Sequence, residues 1–336
     1  MKTEMIPTPD EMTLDKINQH FNTDETAREY LEAIRWPKGV VCPHCKNSDG
    51  KKIWKIQPNK EKKIRAGLYR CAKCNKEFTC TVGTIFEDSH IPLRKWLVAW
   101  YMMATAKKGT SALWIQQNLG LGSYRTAWMM MHKIRHALKD PAVAKQMKGT
   151  LECDETYVNA LPRKSEKQER PVQGFRKGSE KVPVVALVNR DGGVRAEVMP
   201  TVTQKNLRLF IGINADPNSI MNTDECGMYR PILRGFKRHD RVNHSNKEYA
   251  RHNADGTVSH VNTCESYFSL FKRGIYGSFH HVSKEHLPRY CDEFSFRWKN
   301  RTLNSGERFV AGLKQAEGKR LMYRRPKNLK DGGGRR

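Results

Sequence analysis

The apolar positions of this chain change period several times, and each change marks an element boundary. Residues 11–36 carry apolar side chains at helical steps. Asn22-Thr-Asp-Glu-Thr26 supplies a capping signal before Ala27-Arg-Glu-Tyr-Leu-Glu-Ala-Ile-Arg-Trp36, and Pro37 and Gly39 end the unit. Residues 40–82 lose the period and become rich in turns and lysine. It returns from Pro92 to about Ala144, where Leu93, Trp96, Leu97, Trp100, Tyr101 and Ala104 recur at three- and four-residue steps. A break at Lys107-Lys-Gly-Thr110 precedes a short helix with Leu113 and Ile115. Leu119-Gly-Leu-Gly122 makes a turn, and a third helix runs from about Tyr124 to Lys139. From Thr150 the pattern is strand-like, over 150–158, 182–189 and 193–202, with a hairpin turn at Arg190-Asp-Gly-Gly193. A helix over 204–213, a strand over 218–222, a polar basic loop over 234–259 and helices near 262–273 and 284–300 follow.

Strands followed by alternating helices fit an α/β domain. The boundaries predicted are a helical segment at 1–39, a cysteine-bearing segment at 40–87, a helical segment at 88–148, an α/β domain at 149–305 and a basic flexible tail at 306–336.

Charge narrows the partners. Lys and Arg number 61 against 35 Asp and Glu, a net charge of +26, which calls for a polyanion such as DNA or RNA bound through its phosphates. The basic residues are spread along the whole chain, which disfavours a membrane-surface reading. No stretch approaches the ~20 apolar residues of a membrane span. The first ten residues lack the apolar core of a signal peptide, so a reducing cytoplasm is expected.

Nine cysteines are an odd count, and four stand as Cys42-Pro-His-Cys45 and Cys71-Ala-Lys-Cys74. Two such knuckles supply four thiolates to one tetrahedral Zn²⁺. The long spacer between them allows a hairpin with Ile53-Trp54 and Leu68-Tyr69 as its strands. His44 is a spare ligand beside a shell the cysteines already fill. Cys80, Cys153, Cys226, Cys264 and Cys291 read as small buried hydrophobes.

Between Ser111 and Arg135 the pattern is helix, glycine turn, helix, as in helix-turn-helix proteins. On that reading Ser123, Tyr124, Arg125 and Thr126 are the candidates to face bases, and Lys133 or Arg135 could reach phosphate. A plain three-helix bundle has the same periodicity. Trp128 and Met129-Met-Met131 read as core.

Three acids stand out downstream. Asp154 lies inside the strand-like Thr150–Val158, where an unpaired charge is costly. Asp224 ends the run Ser219-Ile-Met-Asn-Thr223. Glu265 lies on a helix whose face also carries Asn262, Ser269 and Lys272, opposite Tyr267, Phe268, Leu270 and Phe271. Two strand-end carboxylates and one helical carboxylate suit two Mg²⁺ (or Mn²⁺) ions about 3.5–4 Å apart, the arrangement that drives in-line phosphoryl transfer. Glu155 and Glu225 are adjacent in sequence to ligand candidates and, on a strand, face the other way.

These residues resemble a family. The order of zinc ribbon, helical DNA-binding segment and acidic α/β domain is similar to bacterial insertion-sequence transposases of the ISXO type, within the wider DDE group. Asp154-Glu-Thr-Tyr-Val158, Thr223-Asp-Glu225, and His260–Gly277 continuing into His280–Tyr290 and Asp292–Arg297 carry the likeness. The resemblance implies a multidomain α+β and α/β protein with an RNase H-like catalytic domain, with Asp154 and Asp224 as its two aspartates and Lys272 as the basic residue after the third ligand. Asparagine serves as third ligand in some members, so Asn262 and Glu265 both qualify. Glu265 is favoured because a carboxylate binds Mg²⁺ more strongly than an amide.

The resemblance further implies binding of terminal inverted repeats, cleavage at element ends, joining of 3′ ends to target DNA, and a homo-oligomer of at least two chains in the bacterial nucleoid. The rivals are a catalytically inactive zinc-ribbon regulator, an RNase H-like nuclease without strand transfer, and a basic architectural protein.

Overall fold

The computed structural model describes residues 12–140, 145–160 and 180–322. It divides into two compact units. One takes residues up to 103, 112–137 and everything from 305; the other takes 104–111 and 138–304. Among the described residues no helix is long and apolar enough to cross a membrane.

The first unit opens with α1 (Leu14–His20) and α2 (Asp24–Arg35). Each is started by a threonine. The Thr13 hydroxyl accepts from the Lys16 N–H and the Thr23 hydroxyl from the Thr26 N–H, both at 3.2 Å. These caps satisfy amides that a helix leaves unpaired at its start. A small antiparallel sheet follows, with β1 (Ile53–Lys55) on β2 (Tyr69–Cys71) on β3 (Glu77–Phe78). Ile53 pairs with Cys71 and Lys55 with Tyr69, the hairpin expected between the two knuckles.

The helices α3 (Leu93–Thr105), α4 (Ala112–Leu119) and α5 (Tyr124–Ala137) come next. The α4–α5 turn is closed by Leu121 N–H on the Gln116 carbonyl (2.9 Å) and Gly120 N–H on that of Gln117 (3.3 Å). Gly120 has φ +55° there, which is why a glycine ends the helix.

In the second unit β4 (Thr150–Ala160), β5 (Glu180–Asn189) and β6 (Val194–Val198) form an antiparallel meander. After α6 (Gln204–Asn214), β7 (Ile220–Thr223) adds parallel to β4. After α7 (Tyr229–Ile232), β8 (Arg238–Arg241) adds parallel to β7. The strand order is β6-β5-β4-β7-β8, with the first three antiparallel and the last two added parallel. A short ribbon, β9 (Arg251–His252) with β10 (Val258–Ser259), leads to α8 (Asn262–Arg273), a π-helical turn at Gly274–Phe279, and α9 (Leu287–Lys299).

Both sheet faces are covered. Val182, Val184, Ala186 and Val188 meet Tyr267, Phe271 and Phe294 on one side; Val185 and Leu187 meet Leu207, Phe210 and Tyr229 on the other. That is why β5 reads as a continuous apolar run rather than an alternating one.

Two expectations are corrected. β8 falls inside the stretch read as a loop over 234–259. It is an edge strand with half-buried polar residues and leaves no apolar alternation to read. The tail expected from 306 starts instead as a helix, Ser305–Lys314, in the first unit. Its Phe309 is fully buried and stacks on Tyr30 with ring centroids 6.1 Å apart. Residues 323–336 lie outside the described residues.

One buried charge ties β4 to α8. Glu152 has no exposed surface. Its carboxylate accepts from the Thr263 N–H (2.8 Å), the Thr263 hydroxyl (2.8 Å), the Cys264 N–H (3.0 Å) and Arg190 Nε (2.7 Å). It therefore caps α8 from another element, at the end where a helix favours negative charge. Removing one partner of a buried, hydrogen-bonded ion pair costs about 3–5 kcal/mol. Glu152→Ala is expected to lower the thermal midpoint of the full chain by many degrees, with Glu152→Gln in between. An unchanged midpoint for Glu152→Ala would remove this role.

Candidate active site

The four knuckle sulfurs lie within 4.8 Å of one another, with Cys42–Cys74 at 3.6 Å and Cys45–Cys71 at 3.7 Å. Four thiolates about 2.3 Å from one tetrahedral Zn²⁺ stand roughly 3.8 Å apart, so the cluster has the size of a structural zinc site. The backbone builds both knuckles alike. The first cysteine's N–H donates to the carbonyl five residues on, Cys42 to Asn47 (2.9 Å) and Cys71 to Lys76 (3.1 Å). The residue after the second cysteine is left-handed in each, Lys46 at φ +60° and Asn75 at φ +57°. The exposed His44 stands outside the group. Cys80, Cys153, Cys264 and Cys291 are buried, while Cys226 is half-buried.

The acids gather in the second unit. β4 and β7 run parallel with Glu152 opposite Asn222, so the same register sets Asp224, one residue past β7, beside Asp154. Adjacent strands lie about 4.8 Å apart. Glu152 and Asp154 share the α8 face of β4. Glu155 faces the other way, where the Tyr229 hydroxyl donates to its carboxylate.

Burial pushes the Asp154 carboxyl up to about 7. The Glu155 N–H (2.8 Å) opposes the shift, and the charges of Glu155, Asp224 and Glu265 add to it. Asp224 is also raised, by burial first, with the Cys226 N–H (3.0 Å) opposing. The oxygens of Asp154, Asp224 and Glu265 do not close to within 4.8 Å as one set, as the four sulfurs do. A site for two ions several ångströms apart has no such need.

On α8, Asn262 is the first residue and is exposed, Glu265 is exposed, and Lys272 is half-buried two turns on. Tyr267, Phe268 and Phe271 bury the opposite face. The chain from 243 to 246 comes up to Glu265, with His244 Nδ1 3.6 Å from its Oε1. Glu225 holds this segment. It accepts from the Ser245 hydroxyl (2.6 Å) and the His244 N–H (2.9 Å), and those bonds bring its carboxyl down to about 2. The sequence reading missed His244, because it stands in a polar stretch with no periodic signal.

In the first unit Ser123 caps α5, its hydroxyl accepting from the Thr126 N–H (3.1 Å). Tyr124 and Arg125 are exposed and Thr126 is half-buried. One of the two candidates for phosphate contact fails. Arg135 is 1% exposed, so it does not reach phosphate. Lys133 is half-buried with its ammonium over the Trp96 ring (5.8 Å), and burial lowers its pKa. Arg135 lies past the first turns of α5, on the face that the helix turns into the core.

Comparison with known proteins adds the following. Residues 146–299 match the ISXO2-like transposase domain, and residues 22–77 the transposase zinc-ribbon domain. An uncharacterized protein in transposable element ISH50 of Halobacterium salinarum is 31% identical over 294 residues, covering 82% of this chain and 91% of that protein. Among solved structures, the Mos1 strand transfer complex aligns at 14% identity over 61% of this chain and 74% of that one, with a TM-score of 0.27. A pre-cleavage Mos1 transpososome aligns at 12% identity over 92% of this chain and 99% of that one, with a TM-score of 0.26.

Two outcomes follow from this geometry. Replacing Cys71 with serine should cut bound zinc, measured by a colorimetric chelator assay, from one ion per chain to well under one half. The Asp154 carboxyl titrates near 7 in the fold against 3.8 as its ordinary value, so the folded chain holds an extra proton between those limits. Its stability therefore falls as pH rises through that window. Without divalent metal, Asp154→Asn should be more stable than the parent by about 1–3 kcal/mol at pH 8, and by nothing near pH 4. Melting curves across pH test this; a pH-independent difference would refute it.

Proposed function

The chain belongs to the insertion-sequence transposases that pair a transposase zinc ribbon with an ISXO2-like transposase domain, and on that footing we propose that it binds the terminal inverted repeats of an element, cleaves at the element's ends and joins the 3′ ends to target DNA by two-metal-ion phosphoryl transfer. The observation that carries this reading is the convergence of Asp154 on β4, Asp224 just past the parallel β7 and Glu265 in the first turn of α8, with the electrostatics of Asp154 in support. A half-buried carboxyl is pushed to about 7 by burial and by the charges of other acids, Asp224 and Glu265 among them, in a chain whose net charge is +26. Such a cluster is costly to fold and is relieved by cations.

Asp154, Asp224 and Glu265 would hold Mg²⁺ or Mn²⁺, with Asn262 at the start of α8 as the competing third ligand. Bound there, the ions would supply activation of the attacking oxygen and charge stabilisation at the leaving one. Lys272 binds a phosphate beside them, and His244 orients Glu265. Residues 40–87 and 88–148 serve end recognition, with Ser123 to Thr126 at the start of α5 turned to DNA. Residues 149–305 serve the chemistry. Two chains or more act together because two ends must be handled at once, in the bacterial cytoplasm on the nucleoid.

The test is a labelled element end incubated with target plasmid, Mg²⁺ and protein that keeps its zinc. The parent should give joined product, and Asp154→Asn, Asp224→Asn and Glu265→Gln should each lose about 10³-fold or more, as catalytic knockouts do. Asn262→Ala should lose far less. Cleavage without joined product, in the assembled complex, would leave a nuclease. Specific binding without cleavage would leave a regulator.

A further inference from the structure

Beyond the acids, the second unit has a basic depression of about 640 Å³ lined by Lys108, Lys272, Arg273, Tyr276, Gly277 and Ser278. We propose that it binds the sugar–phosphate backbone of one DNA strand a few nucleotides from the reacting phosphate, with the Tyr276 ring as a stacking surface. The proposal rests on the function inferred above.

Three observations carry it. The lining holds three cations and no carboxylate. The Arg273 Nε donates to the Ser269 carbonyl of its own helix (3.2 Å), which steadies the side chain without neutralising it.

Lys108 is brought there by a built contact. The Ser278 hydroxyl donates to the Lys108 carbonyl (2.9 Å). Gly109, at φ +89°, lies against the Phe279 ring so closely that a Cβ would meet it at 2.5 Å. A Cβ on Gly274 would strike the Phe294 ring first, at 2.1 Å, and would also stand 3.0 Å from the Lys108 carbonyl. Gly109 thus lets the 106–110 segment seat on the turn after α8, while Gly274 first serves the packing of that turn on Phe294 of α9. A lysine that only aids solubility needs no such seat.

The third observation is the turn itself. α8 runs on past Arg273 into the π-helical turn Gly274–Phe279, a form often found at functional sites. Tyr276 is 43% exposed on it, while its hydroxyl accepts from the Asn159 N–H (3.2 Å) at the end of β4. One end of the ring is fixed and the rest is open, as a base-stacking surface requires.

Position agrees with the role. Lys272 lies seven residues after Glu265, about 10 Å along the helix at 1.5 Å per residue. That is roughly three base steps of DNA at about 3.4 Å each. A cluster of acids repels a polyanion, and cations at this distance draw the strand across it.

The test uses the full chain and a fluorescent duplex of arbitrary sequence, blunt or with a 3′ single-stranded tail. Binding is followed by anisotropy from 50 to 300 mM NaCl. Lys108→Ala with Arg273→Ala should lower the slope of log Kd against log salt by about 1.4–1.8, close to one unit per lost phosphate contact. Tyr276→Ala should weaken the tailed probe several-fold more than the blunt one. Melting temperatures of these surface variants should match the parent.

An unchanged slope in a folded double variant overturns the proposal. So does an equal loss of binding to poly-glutamate, which would make the depression a general anion patch. The outcome is separable from that of the transposase reading. If no element end is ever cleaved but the slope still falls, that reading fails and the backbone site stands. Cleavage with an unchanged slope gives the reverse.

Discussion

Glu152 keeps a carboxylate where water does not reach it, and the start of α8 is placed against β4 by that charge. Desolvating it costs several kcal/mol, offset by two amides and a hydroxyl at the start of α8 and by the Arg190 guanidinium. Arg190 in turn donates to the carbonyls of Val258 and His260, so the approach to α8 is held by the same pair. Asp154 is two residues along β4 from this anchor, on the same face, and Glu265 is one residue beyond Cys264. Two acids from elements more than a hundred residues apart thus have their separation set by one ion pair and a few hydrogen bonds.

The neighbouring acids pull against this order. A carboxyl raised to about 7 beside other carboxylates is unstable charge, and the Glu155 N–H offsets only part of it. Glu155 and Glu225 show the contrast. One is satisfied by Tyr229 and the other by a loop it holds in place. The acids left with few donors are those the sequence had singled out for metal.

Much of this was legible beforehand, for physical reasons. The cysteine spacing, the helical periods of α2 to α5 and the strand pattern of β4 to β6 are local signals, and they appear where expected. Arg135 was misread because a helix face cannot be told inward from outward by charge alone. β8 was missed because a half-buried edge strand of Arg, His and Asp carries no alternation. Glu152 looked like one more acid in an acidic stretch. Its role depends on Arg190 and Thr263, which only the fold brings to it. His244 and Lys108 were hidden for the same reason, each in a polar segment whose meaning comes from a distant neighbour.

The stacking of Phe309 on Tyr30 has a further consequence. Because the last described helix belongs to the first unit, the α/β unit is an insertion tied at both ends within it. A chain emerging from the ribosome has Asp154, Asp224 and Glu265 before it has the segment that completes its amino-terminal core. Domains generally fold as units during synthesis, the earliest first. Here the order is partly inverted, and the portion assigned to recognising DNA is finished only after the portion assigned to cutting it.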